Sequence, residues 1–299
     1  MLTAEALAYV ILWASAAIAT KFGLRSAPPL ILASLRFTIA GLALMGGRCF
    51  LRQPLIPPRA WWTTLVFLGG MNTTVYLGAS FLALSVVPAG LFNLFVSVNP
   101  LMVLIMEQVI LALPVSRVQA LGLSVATGGL VVGAWQAIVH FRTPLWGIGL
   151  LLLGQAAMAA GSVLFNTSKI NLSPAVINTW QLAAGAALLW PIALVTEGAE
   201  PVQWNGFLWG SLLWLAGAVS IGAMLLWFHL LKRGGTRRAS FWLLLTPIMG
   251  YGLGFVLLGE SITLADLFAT ALVIVGIVMG QWSSNAGQPP HATTTPLRQ

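Results

Sequence analysis

The chain reads as a succession of apolar stretches, each separated from the next by a short break rich in proline, glycine or arginine. This pattern constrains the fold more than any motif. A helix of about 20 apolar residues crosses the roughly 30 Å hydrocarbon layer of a bilayer. Inside that layer every backbone N–H and C=O needs an internal partner, which a helix supplies. The stretches fall at 4–23, 29–47, 62–84, 88–112, 116–137, 146–167, 174–196, 205–231, 236–258 and 264–283. Charged residues make up only 7% of the 299 residues and hydrophobic ones 59%, whereas a soluble domain carries about 25% charged residues. So few charges cannot cover a soluble surface. The expected fold is an all-α integral membrane protein of ten transmembrane helices, with no room left for a soluble catalytic domain. Residues 4–23 form too long an apolar stretch for a cleaved leader and read as a retained first span. Residues 284–299, rich in Gln, Pro and Thr, read as a disordered tail.

The net charge of +8 is spread over the breaks between stretches, which speaks against a nucleic-acid surface and for a topogenic role. With the N-terminus in the cytoplasm, ten basic residues fall on the inner side, among them Arg52, Arg117, Lys232 and Arg237. Lys21, Arg25 and Arg142 alone fall outside, and Arg36 lies within a span. The positive-inside bias therefore places both termini in the cytoplasm, in the inner membrane of the cell. Cys49 is a single cysteine, and His140, His229 and His291 lie far apart without cysteine partners, so neither a disulfide nor a metal site is expected. No cofactor motif is present: Gly250-Tyr251-Gly252-Leu253-Gly254 lies within a span with no strand before it, and its Gly250–Gly254 step suits close helix packing.

The two halves of the chain echo one another. Aligning Pro100 with Pro247 places Gly129 on Gly276, Gly133 on Gly280 and Trp135 on Trp282 at the same offset of 147, and an offset of 145 places Pro29 on Pro174. The halves divide as 1–140 and 141–283, each with five spans, and an odd number of spans inverts the second copy. Inverted repeats of this kind characterise secondary transporters.

Polar residues within spans are costly and often functional. Asn93, Ser97 and Pro100 share one helical face of the fourth stretch, and Ser240, Pro247 and Tyr251 occupy corresponding positions in the ninth. Pro100 and Pro247 each remove a backbone donor and mark hinges or kinks. These faces line a cavity, or they pack as a pair of kinks with no ligand contact. Asn72, Tyr76 and Ser80 recur at steps of four in the third stretch, and Trp13, Gln155, Trp180 and Gln181 are further candidates. Trp13, Tyr76, Asn93, Ser97, Trp180, Ser240 and Tyr251 form the candidate substrate-binding set; aromatic walls suit flat apolar side chains. Glu107, inside the fourth stretch, is the one carboxylate placed for a coupling role; with no carboxylate at mid-depth, tight proton coupling is not expected.

Trp13-Ala14-Ser15 with Lys21, Leu35-Arg36-Phe37 and Asn99-Pro100 resemble the first EamA-type repeat, and Thr246-Pro247 with Leu258-Gly259-Glu260 resemble the second. The sequence resembles ten-span members of the drug/metabolite transporter superfamily over residues 4–283, and within it YddG-type exporters of aromatic amino acids. It departs from an even duplication at Gly259-Glu260, where the first half has Ala112-Leu113-Pro114. The resemblance implies a secondary transporter that works by alternating access in the lipid bilayer, with a small-molecule substrate, aromatic amino acids first among the candidates. A carrier of drugs, nucleobases or sugars is the alternative within transport. A membrane enzyme is the alternative from another class, and the sequence shows no HExxH motif, paired aspartates or serine–histidine set for it.

Overall fold

The computed structural model describes residues 2–112, 115–168, 170–224, 226–227, 229–230 and 242–284, and all regular structure among them is helical. The helices are α1 (Leu2–Gly23), α2 (Pro29–Phe50), α3 (Arg59–Leu84), α4 (Ala89–Ser97 and Asn99–Leu111), α5 (Arg117–Phe141), α6 (Leu145–Ser168), α7 (Pro174–Glu197), α8 (Gly206–Ala223), α9 (Leu243–Leu258) and α10 (Leu264–Ser284). By length and composition α1, α2, α3, α5, α6, α7 and α8 can each cross a membrane. The two arms of α4, bent by 44°, make an eighth if they count as one span, and α9 and α10 are shorter apolar helices. The chain is thus a multi-span helical membrane protein.

Local chemistry sets the helix limits. Pro29 and Pro174 stand in the first turns of α2 and α7, where a missing N–H costs nothing. Ser116 and Gln119 form a reciprocal capping box at the start of α5. Asn205 caps α8 through the Leu208 N–H and also accepts from the Ser26 hydroxyl, which ties the turn after α1 to the start of α8. In α4 the break falls where the sequence places it, at Asn99-Pro100, and Pro247 opens the regular part of α9 after a tight turn at Leu243–Leu245. Pro247 has no N–H to offer the Leu243 carbonyl four residues back, and that carbonyl instead accepts the Thr246 N–H.

Close packing depends on small residues. α5 lies along α10 so that Gly122 faces the Gly276 carbonyl and Gly129 faces the Ala269 carbonyl. Cβ atoms built at these two positions would stand 2.6 and 2.7 Å from those oxygens. Backbones approach this closely only where no side chain intervenes. α2 packs on α7, the first arm of α4 packs on α9, and α1 runs beside both α8 and α9.

Two carboxylates join separate helices at one end of the bundle. Glu197, at the end of α7, is buried and accepts the N–H groups of Leu30 at 2.8 Å and Ile31 at 3.0 Å, at the start of α2. Glu260, just past α9, accepts those of Ala89 at 2.8 Å and Gly90 at 3.2 Å, at the start of α4, with Lys21 Nζ 3.9 Å away. Helix N-termini carry free donors and a partial positive charge, so a carboxylate is the natural group to seat there. Asp266 closes the start of α10 through the Thr263 N–H and hydroxyl.

Candidate functional site

Helices α3 and α8 each contain a stretch wound wider than an α-helix, at Gly69–Leu77 and Trp214–Ala223. Such π segments free local backbone geometry and recur at functional sites. Both border one side chain, Arg36 of α2. Arg36 is 5% exposed, and its Nε donates to the Ser220 hydroxyl at 3.1 Å, from the widened stretch of α8. Tyr76, from the widened stretch of α3, is its electrostatic neighbour. The guanidinium also lies over the rings of Phe37 and Phe81, 5.4 and 5.7 Å from their centroids. Asn178 of α7 donates to the Ser220 carbonyl at 3.2 Å and holds this stretch from the other side.

An aromatic wall continues from Tyr76. It neighbours Tyr9 and Gln155, and Tyr9 stacks between Trp13 at 6.0 Å and Trp227 at 5.2 Å. Trp13 is partly buried and touches three separate apolar clusters of the bundle, so it stands where they meet. Gln155, 1% exposed, accepts from the Asn99 amide at 3.2 Å at the α4 break. The site therefore gathers a cation, two phenols, two indoles, a hydroxyl and carboxamides from α1, α2, α3, α4, α6, α7 and α8 and from Trp227. No carboxylate among the described residues pairs with Arg36. A charged arginine inside a span costs up to about 3 kcal/mol on the insertion scale, and rings with one hydroxyl offset only part of that.

Of the residues singled out in the sequence, the structure brings Trp13, Tyr76 and Gln155 into this cluster. Asn72 turns to Gln181, donating to its Oε1 at 3.1 Å. Asn93 is 1% exposed, and its amide donates to the carbonyls of Ala89 at 3.0 Å and Ala14 at 3.3 Å, so it staples α4 to α1. Ser97 donates within its own helix to the Leu94 carbonyl at 2.7 Å. Tyr251 packs on Gly90 and points its hydroxyl at Asp266, 3.4 Å away, near the end of the bundle that holds Glu260. Trp180 sits at the opposite end, its indole N–H donating to the Leu55 carbonyl at 2.7 Å and its ring edge-on to Trp62 at 4.5 Å. Glu107 is half-buried and has no ion-pair partner among the described residues. Ser240 lies outside the described residues. Sequence reasoning left Arg36 out of the binding set, although it is the one basic residue well inside a span, and it missed Tyr9, Asn178 and Ser220.

A polar and aromatic cluster buried inside a multi-span helical bundle marks a functional site within the membrane. The chain belongs to the EamA-like transporter family, which it matches twice, over residues 4–134 and 145–280. This is a family of transporters, not of enzymes. The chain is 27% identical over 273 residues to Protein PecM of Dickeya dadantii (strain 3937), covering 90% of this chain and 88% of that one. It is 28% identical over 289 residues to a probable amino-acid metabolite efflux pump of Salmonella typhimurium (strain LT2), covering 91% and 92%. A solved crystal structure of a protein 21% identical superposes with a TM-score of 0.61, covering 94% of this chain and 97% of that one, and so shares its fold.

Proposed function

We propose that this chain is a ten-span secondary transporter that exports small amphipathic metabolites, aromatic amino acids foremost, by alternating access. It sits in the inner cell membrane with both termini in the cytoplasm. The observation that carries the substrate reading is the aromatic wall of Trp13, Tyr9 and Tyr76 beside the buried Arg36. Flat side chains stack on such walls. The efflux of amino-acid metabolites named for the Salmonella relative supports the same reading.

Two inverted repeats, 1–140 and 141–283, are supported by features that recur at a fixed offset. Left-handed residues end helices at Ala112 and Gly259, 147 positions apart, and prolines open helices at Pro100 and Pro247 with the same spacing. The Gly122–Gly276 approach becomes the Ala269–Gly129 approach under that shift. The widened stretches begin 145 apart, at Gly69 and Trp214. Packing follows the same exchange: α1 on α8 matches α6 on α3, and α1 on α9 matches α6 on α4.

In the orientation set by the basic residues, Glu197 and Glu260 lie on the external side. Each carboxylate belongs to the second repeat and caps a helix of the first, so external opening breaks both contacts. Purified protein in liposomes tests the function with a panel of labelled amino acids. Saturable uptake of phenylalanine, tyrosine or tryptophan without an imposed pH gradient is expected, and Glu107→Gln retains it. Flux of none of the panel overturns the amino-acid reading. Strict dependence on a proton gradient, lost in Glu107→Gln, makes Glu107 a coupling residue and overturns uncoupled transport.

A further inference from the structure

We infer that the Arg36 guanidinium is the anchor for a carboxylate on the transported molecule, and that the site recognises this carboxylate rather than an ammonium group. The inference rests on the proposal that the central cluster is the substrate site, and it names the substrate class: a singly charged aryl carboxylate, with or without an α-amine.

The charge balance of the cluster points to this ligand. A guanidinium has five N–H donors in a planar fork. Among the described residues only the Nε of Arg36 makes a hydrogen bond, to Ser220, and the two terminal nitrogens bond to no protein acceptor. Buried arginines are ordinarily paired with acids, because an uncompensated buried charge is strongly destabilising. All six carboxylates of the chain are among the described residues, and each is placed elsewhere. Glu197, Glu260 and Asp266 cap helices. Glu5 meets His229, Glu200 is exposed at the end of α7, and Glu107 lies near the far end of α4. The free edge of the fork matches a carboxylate in two-point geometry.

The surroundings set the rest of the ligand. Phe37 and Phe81 flank the guanidinium, and the Tyr76 side of the site leads to the Tyr9 and Trp13 rings, which suit a flat apolar body. One guanidinium, with no second cation in contact among the described residues, matches one negative charge better than a doubly charged phosphate. No acid stands in the cluster to receive an ammonium. Its removal from a ligand therefore weakens binding little, whereas removal of the carboxylate weakens it greatly.

Three probes test this on the full chain: L-phenylalanine, 3-phenylpropionate, which lacks the amine, and phenethylamine, which lacks the carboxylate. Binding is measured by ligand-dependent thermal stabilisation of purified protein and transport by competition in liposomes. The wild-type protein is expected to bind the first two within a few-fold of each other and phenethylamine about 10- to 100-fold more weakly, the loss expected for one charged hydrogen-bonded contact. Arg36→Gln lowers affinity for both carboxylates by the same factor and removes the preference over phenethylamine, while Arg36→Lys restores part of it. The wild-type panel decides the matter even if the variants fold poorly: equal or tighter binding of phenethylamine, or no binding of either carboxylate, overturns the anchor. So does an unchanged carboxylate preference in Arg36→Gln. If no amino acid crosses the liposomes but 3-phenylpropionate binds in an Arg36-dependent way, the anchor stands and the amino-acid reading falls. If amino-acid flux is unaffected by Arg36→Gln, the anchor falls and the amino-acid reading stands.

Discussion

Glu197→Ala is expected to destabilise the folded protein by about 3 kcal/mol, because it leaves two buried backbone donors without acceptors at about 1–3 kcal/mol each. Glu197 is 7% exposed, and its carboxylate takes both the Leu30 and the Ile31 N–H groups, 167 and 166 residues away in the chain. Pro29 offers no N–H, so these are the donors of the α2 start that need a partner. The favourable interaction of a negative charge with the helix N-terminus is lost as well. Glu197→Gln keeps one acceptor oxygen and is expected to cost about half as much. Glu200, three residues on, is exposed, and its replacement by Ala is expected to stay within about 0.5 kcal/mol. Thermal unfolding of the purified variants in detergent measures the contrast. Equal melting temperatures for Glu197→Ala and Glu200→Ala contradict the role given to the buried carboxylate.

Gly276→Val is expected to cost at least as much, through sterics alone. A Cβ at Gly276 stands 2.5 Å from both the Gly122 carbonyl oxygen and the Ala126 nitrogen. These are backbone atoms of α5 that cannot swing aside, so α5 and α10 must separate. Overpacking of this kind costs about 1–3 kcal/mol for modest insertions, and the branched valine adds further bulk on a face built for small residues. Gly128, one position before Gly129 on α5, has nothing within 4 Å of its Cβ position. Gly128→Ala is therefore expected to be neutral or slightly stabilising, since alanine is the better helix former. Yield of monodisperse protein and its melting temperature should fall for Gly276→Val and hold for Gly128→Ala. Similar values for both contradict the close α5–α10 contact.

Much of the fold was legible because hydrocarbon imposes one solution on each apolar stretch. Pro29 and Leu264 begin α2 and α10 as the sequence indicates, and α3, α6 and α7 end within about one residue of their expected limits. The central site was legible only in part. Asn72, Tyr76 and Ser80 share a face if the helix turns every 3.6 residues. The stretch Gly69–Leu77 is wound wider, so Asn72 turns to Gln181 while Tyr76 turns to Arg36. No residue pattern in the sequence marks that widening. Polar character at Asn93 and Ser97 does not say which way the side chains turn: here their donors go to backbone carbonyls of Ala89, Ala14 and Leu94. Trp180 is a candidate by its place within the seventh stretch; its long indole reaches the Leu55 carbonyl beyond the end of α2. Arg36 was visible as a charge in a span. Its importance appears only when the structure shows every acid of the chain engaged or placed elsewhere.

In the proposed mechanism one buried site faces the two sides of the membrane in turn. Counterflow measures this most directly: liposomes holding the wild-type protein are preloaded with unlabelled phenylalanine and diluted into a trace of labelled phenylalanine, with no pH gradient. Alternating access predicts transient accumulation of label above its external concentration, saturating with substrate and absent from empty liposomes. Equilibration of label at a rate indifferent to the internal load would contradict it and describe a channel instead.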